Sequence, residues 1–177
     1  PENVLPIMAY SLSKTYTLYG TRCGAMICIA KTKEIADEFK RVCEYSSRGS
    51  WSNSAKVAQV ILSRIYGEPG LLERVDKERA HYREMLIKRG RAFEEEAKKV
   101  GLKIVPFDAG FFISIPCSDP DAISAKLEKE GVFIVPLAKG LRVSVASISE
   151  DKCRKLPAII KAAMEEANVT PDMSASD

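Results

Sequence analysis

The sequence predicts a chain of mixed class, α/β over residues 1–70 and α+β over residues 71–177, with one long helix between the two parts. Three observations predict it. Two short apolar runs, in "NVLPIMAYSLS" and "GAMICIAK", flank a polar loop and lead into two stretches of helical spacing. Residues 72–100 form one long, highly charged stretch with a single apolar stripe. Beyond it, four β-type runs are interleaved with helical runs, the pattern of helices packed on a small sheet.

Each element has its own local reason. The two opening runs read as short strands, and the loop between them is "SLSKTYTLYGTRCG". In "KEIADEFKRVCEYSSRG", Ile35, Phe39, Val42 and Cys43 recur at helical spacing, with Gly49 as the expected C-cap. The stretch "SWSNSAKVAQVILSRIYGEPG" opens on serine and asparagine, expected as caps, and is broken by "GEPG". In the long helix Val75, Tyr82, Leu86, Phe93, Ala97 and Val100 make one stripe. At about 1.5 Å per residue it would run roughly 43 Å, too long to be buried in one small domain, so it is expected to bridge two bodies.

The closing part is read as the strands "LKIVPF", "GFFISIP", "GVFIVP" and "GLRVSVAS", with helices "DPDAISAKLEKEG" and "SEDKCRKLPAIIKAAMEEA". Asp119 or Ser118 can cap the first helix, with Pro120 at its first position, and Ser149 can cap the last. Pro157 is expected to bend that last helix, and the tail from Asn168 to fray.

Composition narrows the function. Basic and acidic residues number 27 and 24 and are interleaved, without the basic stripe that a nucleic-acid surface needs. No apolar run approaches the roughly 20 residues of a membrane helix, so neither nucleic acid nor membrane is an expected partner. Cys23, Cys28, Cys43, Cys117 and Cys153 are scattered, never spaced as CxxC, and read as small hydrophobes in a reducing, cytoplasmic setting. His81 is the only histidine and lies in a charged helical stretch, which argues against histidine-based metal or triad chemistry. No metal is expected.

The polar loop holds the chemistry. A lysine amine can hold a carbonyl compound covalently, and hydroxyls with a guanidinium can anchor a phosphate on the same compound. Lys14, Ser11, Ser13 and Arg22 supply that set within twelve residues, while Gly20 and Gly24 would let the backbone approach closely. Alone, the four residues Ser-x-Ser-Lys read as an ordinary solvated lysine; the whole stretch says more. Downstream, Leu141, Val143 and Val145 alternate with Arg142, Ser144 and Ala146. One face is apolar, and the other presents an arginine beside small residues, suited to a bidentate carboxylate grip.

"SLSKTYTLYGTRCGAM" resembles the cofactor-lysine segment of class I aminotransferases, pyridoxal-phosphate enzymes of fold type I. That resemblance implies that Lys14 holds the cofactor covalently and that Ser11 and Arg22 bind its phosphate; Ser13, from the chemistry of the loop, is expected as a further cofactor-binding hydroxyl. "RGSWSN" resembles the segment whose arginine, here Arg48, reaches the neighbouring subunit's active site and takes a distal carboxylate. "GLRVSVAS" resembles the strand whose arginine, here Arg142, grips the substrate α-carboxylate. "DAGFFIS" is similar to a small-domain strand in which Phe112 would line the substrate side; core packing is the other reading of that phenylalanine.

The resemblance runs from about residue 4 to 167 and implies an aminotransferase of the aspartate or aromatic kind. It would move an amino group between an amino acid and a 2-oxo acid, as a homodimer using pyridoxal 5′-phosphate. The carboxylate that such enzymes set against the ring nitrogen lies well upstream of the lysine, and here only thirteen residues precede Lys14. The expectation is therefore a C-terminal part. Residues 1–70 would be the remnant of the cofactor domain, and residues 71–177 the bridging helix and small domain. Such a part by itself would bind cofactor poorly and catalyse little. A carbon–sulfur lyase, an aminocyclopropane-carboxylate synthase and a non-catalytic assembly module are the alternatives.

Overall fold

A computed structural model describes residues 4–171. The elements are β1 (Ile7–Ser11), α1 (Leu12–Thr15), a 3-10 turn (Tyr19–Thr21), β2 (Gly24–Cys28), α2 (Lys33–Ser50), α3 (Lys56–Gly67) and α4 (Leu71–Lys99). They continue with β3 (Phe112–Pro116), α5 (Pro120–Lys129), β4 (Val135–Leu137), β5 (Gly140–Ser144) and α6 (Glu150–Glu166). The chain divides into two compact units at Arg79 and Ala80, inside α4.

In the first unit β1 and β2 pair antiparallel, Ile7 opposite Cys28 through Ser11 opposite Gly24. The polar loop closes this ribbon. Gly24 is required there, because a Cβ would stand 2.4 Å from the Tyr10 carbonyl oxygen across the pair. Gly20, the other glycine expected to allow close approach, has open space beside it. A small core gathers Leu12, Tyr16, Ala58 and Ile65, with Leu71, Leu72 and Val75 from the first turns of α4 packed on it.

Helix α2 forms where the periodicity predicts, started by the Thr32 side chain, yet it buries none of its residues. It also runs past Gly49 to Ser50, so that glycine is not its cap. The end is made instead at Trp51 and Ser52, whose N–H groups both donate to the Ser47 carbonyl, at 2.9 and 3.1 Å, and the left-handed backbone of Ser52 (φ 67) then turns the chain out of the helix. The caps expected for α3 also fail. Its N-cap is Ala55, without a side-chain bond, because Asn53 spends its carbonyl oxygen on the Ser54 N–H and Ser54 accepts from Gln59.

The second unit is a three-stranded antiparallel sheet, order β3-β5-β4, under helices. Its core joins Phe93 and Ala97 of α4, Ile113 and Ile115 of β3, Ile123 and Leu127 of α5, Leu141, Val143 and Val145 from β5 onward, and Ile160 of α6. Each of these side chains other than that of Ala97 contributes about 1.5–3 kcal/mol on leaving water. Asp119 caps α5 by accepting the Ala122 N–H at 3.0 Å, with Pro120 at its first position, and Ser149 caps α6. Pro157 lies inside α6 and is fully buried. Of the predicted α4 stripe, Phe93 and Ala97 are buried, whereas Tyr82 is half exposed.

The expected strand "LKIVPF" does not form. Left-handed Gly101 turns the chain after α4, Pro106 offers no N–H, and a single backbone bond, Val105 N–H to the Ser114 carbonyl at 2.9 Å, ties the segment to β3. "GVFIVP" shortens to Val135–Leu137 because Ile134 turns into the core and its carbonyl accepts from buried Ser124 at 3.0 Å. The tail expected to fray from Asn168 is held at its start: Val169 packs on the core and the Thr170 carbonyl accepts the Ser118 N–H at 3.1 Å, while the rest, from position 172 onward, lies outside the described residues.

Candidate functional site

The loop carrying Lys14 is built by short-range rules. The Ser11 hydroxyl accepts the Ser13 N–H at 3.2 Å, which starts α1, and the Thr15 hydroxyl donates back to the Ser11 carbonyl at 3.0 Å. Buried Leu12 anchors that single turn and leaves Lys14 exposed, with Ser13 half-buried. The chain then passes through Thr17 (φ 55) and Arg22 (φ 50), both left-handed without being glycine. Such residues cost of order 1 kcal/mol each and are held by their surroundings.

For Arg22 the consequence is visible. Its Nη1 donates back to the Tyr19 carbonyl at 3.1 Å, and its guanidinium carbon lies 5.2 Å from the Tyr19 ring centroid. The Lys14 ammonium lies 4.4 Å from the same centroid. Two cations gathered on one ring are less than about 10 Å apart, within cation–π range of a common aromatic. The turn therefore brings an amine and a guanidinium to one ring, and the Ser11 and Ser13 hydroxyls belong to the same short segment. This donor set suits an anion that also carries a carbonyl carbon.

Tyr19 is the member that the sequence reading passes over. The signal available is the spacing: an aromatic with cationic side chains five residues before and three after it.

In the second unit, Arg142 lies in β5 between Val135 of β4 and Ser114 of β3. The alternation places Leu141, Val143 and Val145 in the core, with Arg142 and Ser144 half-buried on the opposite face. The guanidinium carbon stands 4.6 Å from the Phe112 ring centroid. The Nε atom is buried and meets no hydrogen-bond partner among the described residues. A buried unsatisfied N–H of a cation costs roughly 1–3 kcal/mol or more, so a carboxylate arriving there would gain by it. Phe112 is 41% exposed, on the arginine's side of the strand and not in the core. Arg89 of α4 donates to the Ala146 carbonyl at 3.1 Å, just past β5, and so holds the chain near the Arg142 strand.

Arg48 sits in the last turn of α2, where its guanidinium donates to the Ser52 hydroxyl at 3.1 Å. The structure thus brings Lys14, Arg22, Ser11 and Ser13 together in one unit, pairs Arg142 with Phe112 in the other, and engages Arg48 locally. Among the described residues no His/Cys/Asp/Glu group could hold a metal, and no helix is long and apolar enough to cross a membrane. All five cysteines are free thiols; burial pushes those of Cys117 and Cys153 up.

A lysine turn closing a strand pair, followed by a long helix and a small α+β unit, is an arrangement of mixed α and β class. The profile of the family described as aminotransferase class I and II matches residues 2–160, and the chain belongs to that family. A solved aminotransferase from Anaerococcus prevotii is similar over 93% of this chain, with 35% identity and a TM-score of 0.87. An aromatic-amino-acid aminotransferase from Burkholderia pseudomallei, solved covalently bound to pyridoxal phosphate, shares the fold at 22% identity and a TM-score of 0.69 over 92% of the chain. An aromatic amino acid aminotransferase from Cutibacterium acnes is 28% identical over 146 residues, 82% of this chain. The chain spans 37% of that relative's length and 40% of the Anaerococcus structure's.

Proposed function

We propose that this chain is part of a pyridoxal-phosphate-dependent aminotransferase that acts on aspartate, glutamate or aromatic amino acids with a 2-oxo acid as acceptor. Residues 1–70 belong to its cofactor domain, and residues 71–177 supply the bridging helix and the small domain. The observation that carries this reading is the turn itself: Lys14 and Arg22 converge on the Tyr19 ring. When bound, pyridoxal phosphate supplies the electron sink that lets a proton leave the amino acid's Cα.

The chain's own residues do the rest. Lys14 would hold the cofactor through its amine, and the same amine would take up the proton that leaves Cα. Arg22 neutralises the phosphate, with Ser11 and Ser13 as hydrogen-bond donors to its oxygens. Arg142 binds the α-carboxylate through the guanidinium whose Nε is unsatisfied, and Phe112 keeps water from that guanidinium's face.

The protein works as a homodimer, with Arg48 offered to the neighbouring active site for a distal carboxylate. Supporting this is α2, which buries none of its residues and leaves Val42, Tyr45 and the nearby Trp51 exposed. Five free thiols fit a cytoplasmic enzyme.

The test is Lys14→Ala in the intact enzyme, followed by cofactor absorbance, borohydride labelling and turnover. The expected outcome is loss of the lysine-linked chromophore and of transamination. Turnover that survives the substitution refutes the reading.

A further inference from the structure

We propose that Tyr16 is a positioning residue for Lys14, fixing the one-turn helix α1 through a hydroxyl pair with Tyr66 of α3. The proposal rests on the reading of Lys14 as the cofactor lysine. A four-residue helix has no stability of its own, since nucleation is costly and only propagation repays it. The direction of Lys14 must therefore come from packing against other elements.

Tyr16 provides that packing two residues after the lysine. It is 8% exposed and belongs to the first unit's core. Its N–H donates to the Leu12 carbonyl at 3.2 Å and closes the turn. Its hydroxyl lies 2.6 Å from that of Tyr66, one donating and the other accepting, across fifty residues of sequence. The Arg79 guanidinium carbon stands 5.1 Å from the Tyr16 ring, and Asp76 holds Arg79 at 2.8 Å.

One side chain thus ties α1 to α3 and to the start of α4. The left-handed backbone of Thr17, the next residue, keeps its geometry only where its neighbours are held. Packing alone would be served by phenylalanine at position 16. The hydroxyl adds a directional tether to Tyr66, whose own side chain is 63% exposed and so makes little other use of burial.

The experiment uses the intact enzyme that contains this chain, with pyridoxal phosphate as probe. Borohydride reduction traps the labelled lysines, and mass spectrometry gives a labelling rate for each as a function of pH. In the wild type, Lys14 is expected to label faster than the other lysines. Tyr16→Phe and Tyr66→Phe should each slow Lys14 by about tenfold and displace its pH profile, leaving the other lysines unchanged. The double variant should be no worse than either single, because both remove one shared bond. Preferred labelling of Lys14 that is identical in wild type and variants overturns the positioning role and leaves the cofactor-lysine reading standing. Slowing of all lysines together also overturns it, as a general loss of structure. A wild-type Lys14 that labels no faster than its fellows overturns the cofactor-lysine reading itself.

Discussion

Gly90→Ala sets two physical effects against each other at one buried point of α4. In an exposed helix the change stabilises by about 1 kcal/mol, since glycine gives up more backbone freedom than alanine. Here a Cβ at position 90 would stand 2.1 Å from Cε1 and 2.4 Å from Cζ of Phe107. Carbon atoms rest at about 3.5–4.0 Å, so the ring would have to withdraw by more than about 1 Å. Phe107 is 8% exposed and packed in the second unit's core, and its segment is tied to β3 by the Val105–Ser114 bond. Overpacking of this kind costs about 1–3 kcal/mol, and the depth of the overlap puts this case at the upper end. The net expectation is destabilisation by about 1–2 kcal/mol, read as a lowered urea midpoint with an unchanged m-value in far-ultraviolet circular dichroism. In a Phe107→Leu background the same substitution should cost much less, because the two sites share one volume. A Gly90→Ala protein as stable as the wild type would refute the claim that this glycine exists to seat the ring.

Two further outcomes follow from local geometry. The Tyr16 hydroxyl is raised from 10.0 to about 12, first by its hydrogen bond to Tyr66 and then by burial. The folded chain therefore keeps a proton that the unfolded chain gives up. The contribution is fully present below pH 10 and is lost as pH rises from 10 through 12. Urea stability of the wild type should fall more steeply than that of Tyr16→Phe across that window; parallel curves would contradict the assignment. Asp119→Ala should cost about 1 kcal/mol by removing the cap of α5, and Asp119→Asn should retain most of it. Equal loss in both, measured by chemical denaturation, would mean that the charge and not the cap matters.

Features set by short-range physics could be read from the letters alone. The turn around Lys14 is set by Ser11 as a cap and by buried Leu12, both within three residues of it, although its letters read only as a polar loop. The exposed side of β5 follows from strict alternation, which put Arg142 opposite Leu141, Val143 and Val145 before any coordinates. Asp119, Pro120 and Ser149 behaved as their types require at helix starts. Tertiary structure decided whatever depends on residues far apart in the chain. Tyr66 meets Tyr16, Phe112 stacks on Arg142, and Phe107 occupies the space that Gly90 leaves, through contacts no local pattern encodes. Residues 102–107 had strand composition yet lacked a ladder, because pairing depends on a neighbour's free edge and on N–H groups that Pro106 does not have. Likewise α2 carried an amphipathic pattern but buried nothing, since periodicity states which face is apolar and not what covers it.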